Sequence, residues 1–296
     1  MSYHSIVLVK QVPDTANVTG DAMKEDGTVN RAALPAIFNP EDLHALEAAL
    51  EIKDRFGGTV TVISMGPPKA GDVLRDCLYR GADRAILVSD RRAAGSDTLA
   101  TSYILAQAVK TVGGYDFVFC GRQAIDGDTA QVGPQCAEKL GLPQVTYLEE
   151  ILEVKDGTAV LKRNVGNGWE VVRVRLPALV TVIDTANNPR PRRAKRMMRY
   201  KFKRTALEFP ADSPQLAEAK EKGDLLETWS LDDIGADLQR CGFAGSPTKV
   251  HKIQSIILTK EGSVSIEPTA EGIRAMVREL IDDRTLGERR ATVRNK

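Results

Sequence analysis

The sequence predicts an α/β fold: a doubly wound, mostly parallel sheet with an antiparallel addition and an extended C-terminal arm. Three observations predict it. Short apolar, β-branched runs alternate with amphipathic helical segments through the first half of the chain. The fourth of those runs passes into a glycine-bearing polar loop and then a helix start, the connection expected of a parallel sheet. Beyond residue 145 the rhythm changes to strand-like segments separated by tight-turn sequences.

The first run, SIVLV (5–9), has the unbroken apolar character of a parallel strand covered on both faces. Runs of the same kind recur at TVTVISM (59–65), RAILVS (84–89) and DFVFCG (116–121). The first helix is predicted over 39–56. Leu43, Leu46 and Leu50 share a face that Ala45, Ala49, Ile52 and Phe56 widen. Asn39 suits the N-cap, Pro40 the first helical position, and Glu41 and Asp42 the positive end of the helix dipole. Residues 69–84 and 95–114 are further helices, the second capped by Ser96 or Asp97 and ended by glycine. Segments 144–154, 158–165, 169–176 and 178–184 read as strands, with KDG and GNG turns, and as an antiparallel addition to the sheet. Residues 189–204, PRPRRAKRMMRYKFKR, carry nine cations and no acid. A polar, turn-rich stretch (209–224) follows, and a helix is predicted over 267–283.

Composition narrows the function. The 41 basic and 40 acidic residues nearly cancel, so no global field favours nucleic acid or membrane. Aromatic residues make up 5%, too few for a base-stacking platform. Cys77, Cys120, Cys136 and Cys241 show no CxxC spacing and read as reduced intracellular thiols. Three histidines, none in a metal-ligand pattern, argue against zinc and against a histidine triad; no metal site is predicted. The apolar N-terminal run is too short for a signal peptide or a membrane span, so a cytoplasmic location without membrane insertion is expected.

The stretch GRQAIDGDTAQVGP (121–134) concentrates the chemistry. A strand end, a glycine-bearing loop and a helix start together form an anion site through free backbone N–H groups. Thr129 and Gln131 add uncharged hydrogen-bonding groups, whereas Asp126 and Asp128 suit loop-fixing bonds or ribose hydroxyls rather than bare phosphate. Neither GxxxxGK[ST] nor GxGxxG is present. On these residues a nucleotide-phosphate cradle and a plain strand-to-helix turn stand level. A catalytic carboxylate pair lacks a general-acid partner, and no catalytic residue is assigned.

This stretch, with VLVKQVPD (7–14), FNPEDLHALEAAL (38–50), GADRAILV (81–88), LPALVTV (176–182) and NNPRP (187–191), resembles the β subunit of electron transfer flavoproteins. The resemblance covers residues 1 to about 190, fades through the basic stretch, and returns at GFAGSPTKV (242–250). It implies a Rossmann-like, adenine-nucleotide-binding domain over 1–188, a basic partner-facing loop and linker over 189–225, and a C-terminal arm over 226–296 that packs on a partner. That partner would be an α subunit carrying a redox-active FAD. Carried over by position, the adenine side would involve Leu8, Asn39, Pro40, Glu41, Asp42 and Met65. The phosphate and ribose side would be Gly121, Arg122, Gln123, Ala124, Ile125, Asp126, Gly127, Asp128, Thr129, Ala130, Gln131, Val132, Gly133 and Pro134.

The resemblance leaves two occupants for this pocket: AMP as a structural element, or the AMP half of a second FAD in electron-bifurcating members. Gly127, where ordinary members carry an acid, and the AGSPTKV segment favour the bifurcating and nitrogen-fixation-associated branch, and with it FAD. Glycine leaves room for a diphosphate and for a longer ligand to leave the pocket. The implied chemistry is oxidation of NADH by the bound flavin, with its two electrons parting to different acceptors, and only within a complex. The implied redox partners are an acyl-CoA dehydrogenase or another flavin or iron–sulfur protein. The family's docking leucine corresponds here to Ala194 in an arginine-rich setting, which points instead to an acidic partner surface engaged with electrostatic steering. On pattern alone Leu8 and Met65 are core residues, and Lys10 and Asp14 a solvated pair. A hydrolase or ligase of the related α/β group would need a pyrophosphate loop after the first strand, which residues 9–20 do not offer. A nucleic-acid-binding protein using 189–204 is the remote alternative.

Overall fold

The computed structural model describes residues 2–14, 34–248 and 264–283. The chain divides into two compact units, residues 1–253 and 254–296.

The first unit is built on parallel strands β1 (Tyr3–Leu8), β4 (Gly58–Met65), β5 (Arg84–Val88), β6 (Phe117–Gly121) and β10 (Ala178–Val182). A short antiparallel ribbon, β2 (Gln11–Pro13) with β3 (Ala36–Phe38), stands apart from them. The sheet is completed by β7 (Gln144–Lys155), β8 (Thr158–Asn164), β9 (Trp169–Arg175), β11 (Arg204–Thr205) and β12 (Leu225–Trp229), in the order β11-β12-β5-β4-β1-β6-β10-β7-β8-β9. Helices α1 (Pro40–Phe56) and α2 (Gly71–Arg80) cover one face, and α3 (Thr98–Val112) and α4 (Val132–Leu140) the other.

The two faces follow from strand alternation. Val7, Phe117 and Phe119 point to the α1/α2 layer, and Ile6, Leu8, Val118 and Cys120 to the α3/α4 layer. Both sets are buried, which is why these runs show no polar alternation. All four thiols are free and buried, and burial pushes those of Cys77, Cys120 and Cys136 well up, the last to about 12, so they are inert packing groups.

Two expectations change. The segment at 178–184 is not part of the antiparallel addition: β10 lies parallel between β6 and β7, every residue buried. Only β8 and β9 extend the sheet antiparallel from β7. A fully buried apolar run carries no directional signal, and its covered central position is what a parallel strand takes. Further along, the polar stretch after 204 returns to the sheet. There β12 pairs parallel with β5, one strand in from the opposite edge, and is preceded by α6 (Pro214–Glu221), whose N-cap Ser213 accepts from Leu216 N.

The basic stretch forms α5 (Ala194–Tyr200) against α2. Arg190 pairs with Glu47 and Asp54, both at 2.8 Å, and Arg192 with Asp76 at 2.6 Å. Arg196 donates to the carbonyls of Leu78 and Ala82 at the α2 C-terminus, where a cation meets the negative end of the helix dipole. Within the second unit, α7 (Ala270–Asp282) starts at Thr269, whose hydroxyl accepts from Gly272 N. Among the described residues no helix is long and apolar enough to cross a membrane.

Candidate functional site

Strand order reverses between β1 and β6: successive strands run outward through β4 and β5, and the chain then crosses back to pair β6 with the other side of β1. A crevice beyond the carboxyl ends at such a switch point is where open α/β sheets bind ligands. There the molecule has a cavity of about 450 Å³. Of the sequence-predicted residues, Leu8, Asp42, Met65, Gly121, Arg122, Gln123, Ala124, Asp126, Gly127, Asp128, Thr129, Ala130, Gln131, Val132 and Gly133 line it.

The remaining five, Asn39, Pro40, Glu41, Ile125 and Pro134, stand behind this lining. Asn39 is not a side-chain N-cap, which corrects the sequence expectation. Its amide bridges to the loop, with Nδ2 donating to Gln123 O at 2.9 Å and Oδ1 accepting from Ile125 N at 3.2 Å. Glu41 takes Arg122 Nη2 at 2.5 Å and Gln123 N at 3.0 Å. Asp42 takes Gly121 N at 2.9 Å and Lys10 N at 2.8 Å, joining the ends of β6 and β1. The first turn of α1 is thus a bracket for the loop, and the reason lies in tertiary contacts between residues some 80 positions apart.

Burial pushes the Asp42 carboxyl up to about 7, although the amides of Gly121 and Lys10 favour its charged form. Lys10 does not pair with Asp14 as a solvated couple: its Nζ lies 2.7 Å from Asp126. Asp128 accepts from Gln123 Nε2 at 3.0 Å. Both loop acids are therefore engaged by protein groups.

The backbone behaves differently. Asp128 and Ala130 adopt left-handed conformations (φ 49° and 52°), uncommon for residues with a side chain, where the loop turns toward α4. Gln131 stands at the N-cap of α4 without capping it, and its side chain instead accepts from Thr98 Oγ1 at 2.8 Å. Among the described residues none accepts a hydrogen bond from the amides of Thr129, Ala130, Gln131, Val132 or Gly133. An uncapped helix start beside a cavity, with amides that meet no acceptor among the described residues, can receive an oxyanion. Gly133 lets it sit this close to the sheet, since a Cβ there would lie 2.7 Å from Cys120 Sγ. These residues fit the phosphate portion of a nucleotide.

The electron transfer flavoprotein domain matches residues 26–207. The chain is 43% identical to electron transfer flavoprotein subunit beta of Clostridium acetobutylicum, over 94% of this chain and 98% of that protein. This chain belongs to the electron transfer flavoprotein β-subunit family. Such β subunits pair with an α subunit. Two other relatives are a protein named FixA from Bradyrhizobium diazoefficiens (40%, over 93% of this chain and 90% of that one) and the caffeyl-CoA reductase–Etf complex subunit CarD of Acetobacterium woodii (44%, over 83% and 86%).

In this flavoprotein subunit one wall of the cavity escaped the sequence reading. Ala93, Gly95, Ser96, Asp97 and Thr98 line it opposite the loop. Asp97 caps α3 as expected, accepting from Leu99 N and Ala100 N. The signal available was the second strand–loop–helix start, GSDT at 95–98, which looks in sequence like ordinary capping.

Proposed function

We propose that the cavity holds the adenosine diphosphate portion of FAD, and that with its α subunit the chain passes electrons between a reduced donor, NADH, and other redox proteins by bifurcation. The observation that supports this best is the run Thr129 to Gly133, which lines the cavity and whose amides meet no acceptor among the described residues, beside acids already paired within the protein. Gly127 lines the cavity, and a Cβ there would meet nothing within 4 Å, so the loop leaves space for a ligand longer than a mononucleotide. The names of FixA and CarD favour the same branch.

Bound flavin would supply the redox chemistry, and the protein would hold and tune it. Asn39, Glu41 and Asp42 fix the loop, the amides of 129–133 take phosphate oxygens, and Leu8 and Met65 supply apolar surface. AMP as a structural ligand is the second reading, because the amide cradle suits one phosphate as well as two. Counting nucleotides in the purified heterodimer separates them: two FAD per αβ pair is expected, and one FAD with one AMP would overturn the FAD reading.

The partner surface is the arm at 189–204, within the basic loop and linker proposed for 189–225, and residues 226–296 would serve as the arm toward the α subunit. Arg190, Arg192, Arg196 and Lys203 are held by protein acceptors. Arg193, Lys195, Arg199 and Lys201 remain exposed, next to exposed Met198 and Phe202. That combination suits an acidic redox partner, such as a dehydrogenase, with an apolar contact at its centre. Function away from nucleic acid accords with the balanced overall charge, and the compartment we propose is the cytoplasm.

A further inference from the structure

The segment GFAGSPT (242–248) lies on the back of the cavity wall formed by 93–98. Ser246, 4% exposed, accepts from Asp97 N at 2.8 Å and donates to Gly242 O at 2.7 Å. Gly242 N donates to Ser96 Oγ at 3.0 Å, and Thr248 N to Asp97 Oδ2 at 3.0 Å. The glycines permit this closeness: at Gly242 a Cβ would lie 2.2 Å from the carbonyl oxygen of Arg92, and Gly242 has φ 56°. From Asp97 the contacts continue, since Thr98 holds Gln131 at the mouth of the amide row.

We infer that Ser246 is a positioning residue for the ligand cavity: it fixes Asp97 and the start of α3, and through Thr98 and Gln131 it fixes the amides of 129–133. This inference rests on the nucleotide reading of the cavity. Ser246 itself does not line the cavity, so it acts through the wall. Its hydroxyl is buried and fully engaged, and its loss leaves Asp97 N without its acceptor. Thermodynamic reciprocity then requires that a bound nucleotide tighten this segment in return.

The test uses the full chain co-purified with its α subunit, stripped of nucleotide and titrated separately with FAD and with AMP. Ser246→Ala is expected to weaken the bound nucleotide about ten-fold, roughly 1.4 kcal/mol. In the wild type, adding that nucleotide is expected to slow hydrogen exchange at the amides of Asp97, Gly242 and Thr248. In Ser246→Ala the slowing at Gly242 and Thr248 is expected to vanish. If Ser246→Ala does not fold, Thr248→Pro removes one amide donor to Asp97 at the end of the segment and carries the same expectations for affinity and for exchange at Gly242. A Ser246→Ala that binds with unchanged affinity, or a wild type whose exchange at Asp97, Gly242 and Thr248 is unmoved by bound nucleotide, overturns the inference alone. A wild type that binds neither nucleotide overturns the cavity reading and this inference with it.

Discussion

The loop at 121–134 and the arm at 189–204 are both conspicuously polar, and they use polarity in opposite ways. In the loop, Arg122, Asp126 and Asp128 are engaged by Glu41, Lys10 and Gln123, and the backbone amides are what remains on offer. In the arm the backbone closes into α5, four of its nine cations brace it against α1, α2 and the β11–β12 region, and charged side chains are what remains on offer. Backbone amides are rigid, short-range donors that suit a fixed oxyanion. Long cationic side chains reach further, adapt, and suit a transient protein partner whose encounter is steered by charge. One site is preorganised and the other compliant.

Breaking the rigid site should cost most. A Cβ at Gly121 would lie 2.6 Å from Asp42 Oδ1 and 2.8 Å from the backbone of Glu41, so no side-chain rotation relieves it. Gly121→Ala is expected to destabilise the protein by about 3 kcal/mol, as overpacking at a fixed backbone does. Denaturant unfolding checks this. Next comes the brace of the arm. Glu47→Ala leaves Arg190, largely buried, without its bidentate partner, and is expected to cost about 2 kcal/mol in the same assay, tempered by Asp54.

Two variants sharpen the contrast without disturbing the fold. At Gly127 an added Cβ meets nothing within 4 Å, so Gly127→Asp is expected to leave stability little changed, while its charge and bulk at the cavity should weaken FAD about ten-fold. Unchanged FAD content after gel filtration would contradict the assigned geometry. Arg199→Gln with Lys201→Gln should leave both stability and nucleotide content as they are. Their effect should appear as slower partner association with a shallower salt dependence, read by stopped-flow at several ionic strengths.

A further effect is in pH. The Asp42 carboxyl stands near 7 folded, against 3.8 for an ordinary aspartate. Between those values the folded state holds the proton and the unfolded state does not. Stability from this group is therefore greatest at the acidic end of the window and declines as pH rises toward 7. Unfolding midpoints taken from pH 5 to 8 should show that decline in the wild type. In Asp42→Asn, which cannot titrate, this contribution should be absent from the slope.

Much of this was legible in the chain itself. The buried strands announce themselves as β-branched runs, and α1 by its leucine spacing, Pro40 and acidic first turn, because burial and helix geometry impose their periods locally. The loop at 121–134 stands out because glycines, acids and uncharged polar residues gather there between a strand and a helix start, a pattern that fits a phosphate cradle and a plain turn alike. The direction of β10 was not legible, since an apolar run reads alike in either sense, and neither was β12, brought to the sheet from a polar stretch.

What the sequence determined by itself was the list of elements and the loop proposed to hold the ligand, because both depend on neighbours a few residues apart. Only the tertiary structure decided that Asn39 bridges instead of caps, that Lys10 meets Asp126, and that Ser246 reaches Asp97. Those partners lie between 84 and 149 positions apart, and hydrogen bonds and ion pairs at that separation are chosen by the packing of the sheet and its helices, which no local pattern encodes.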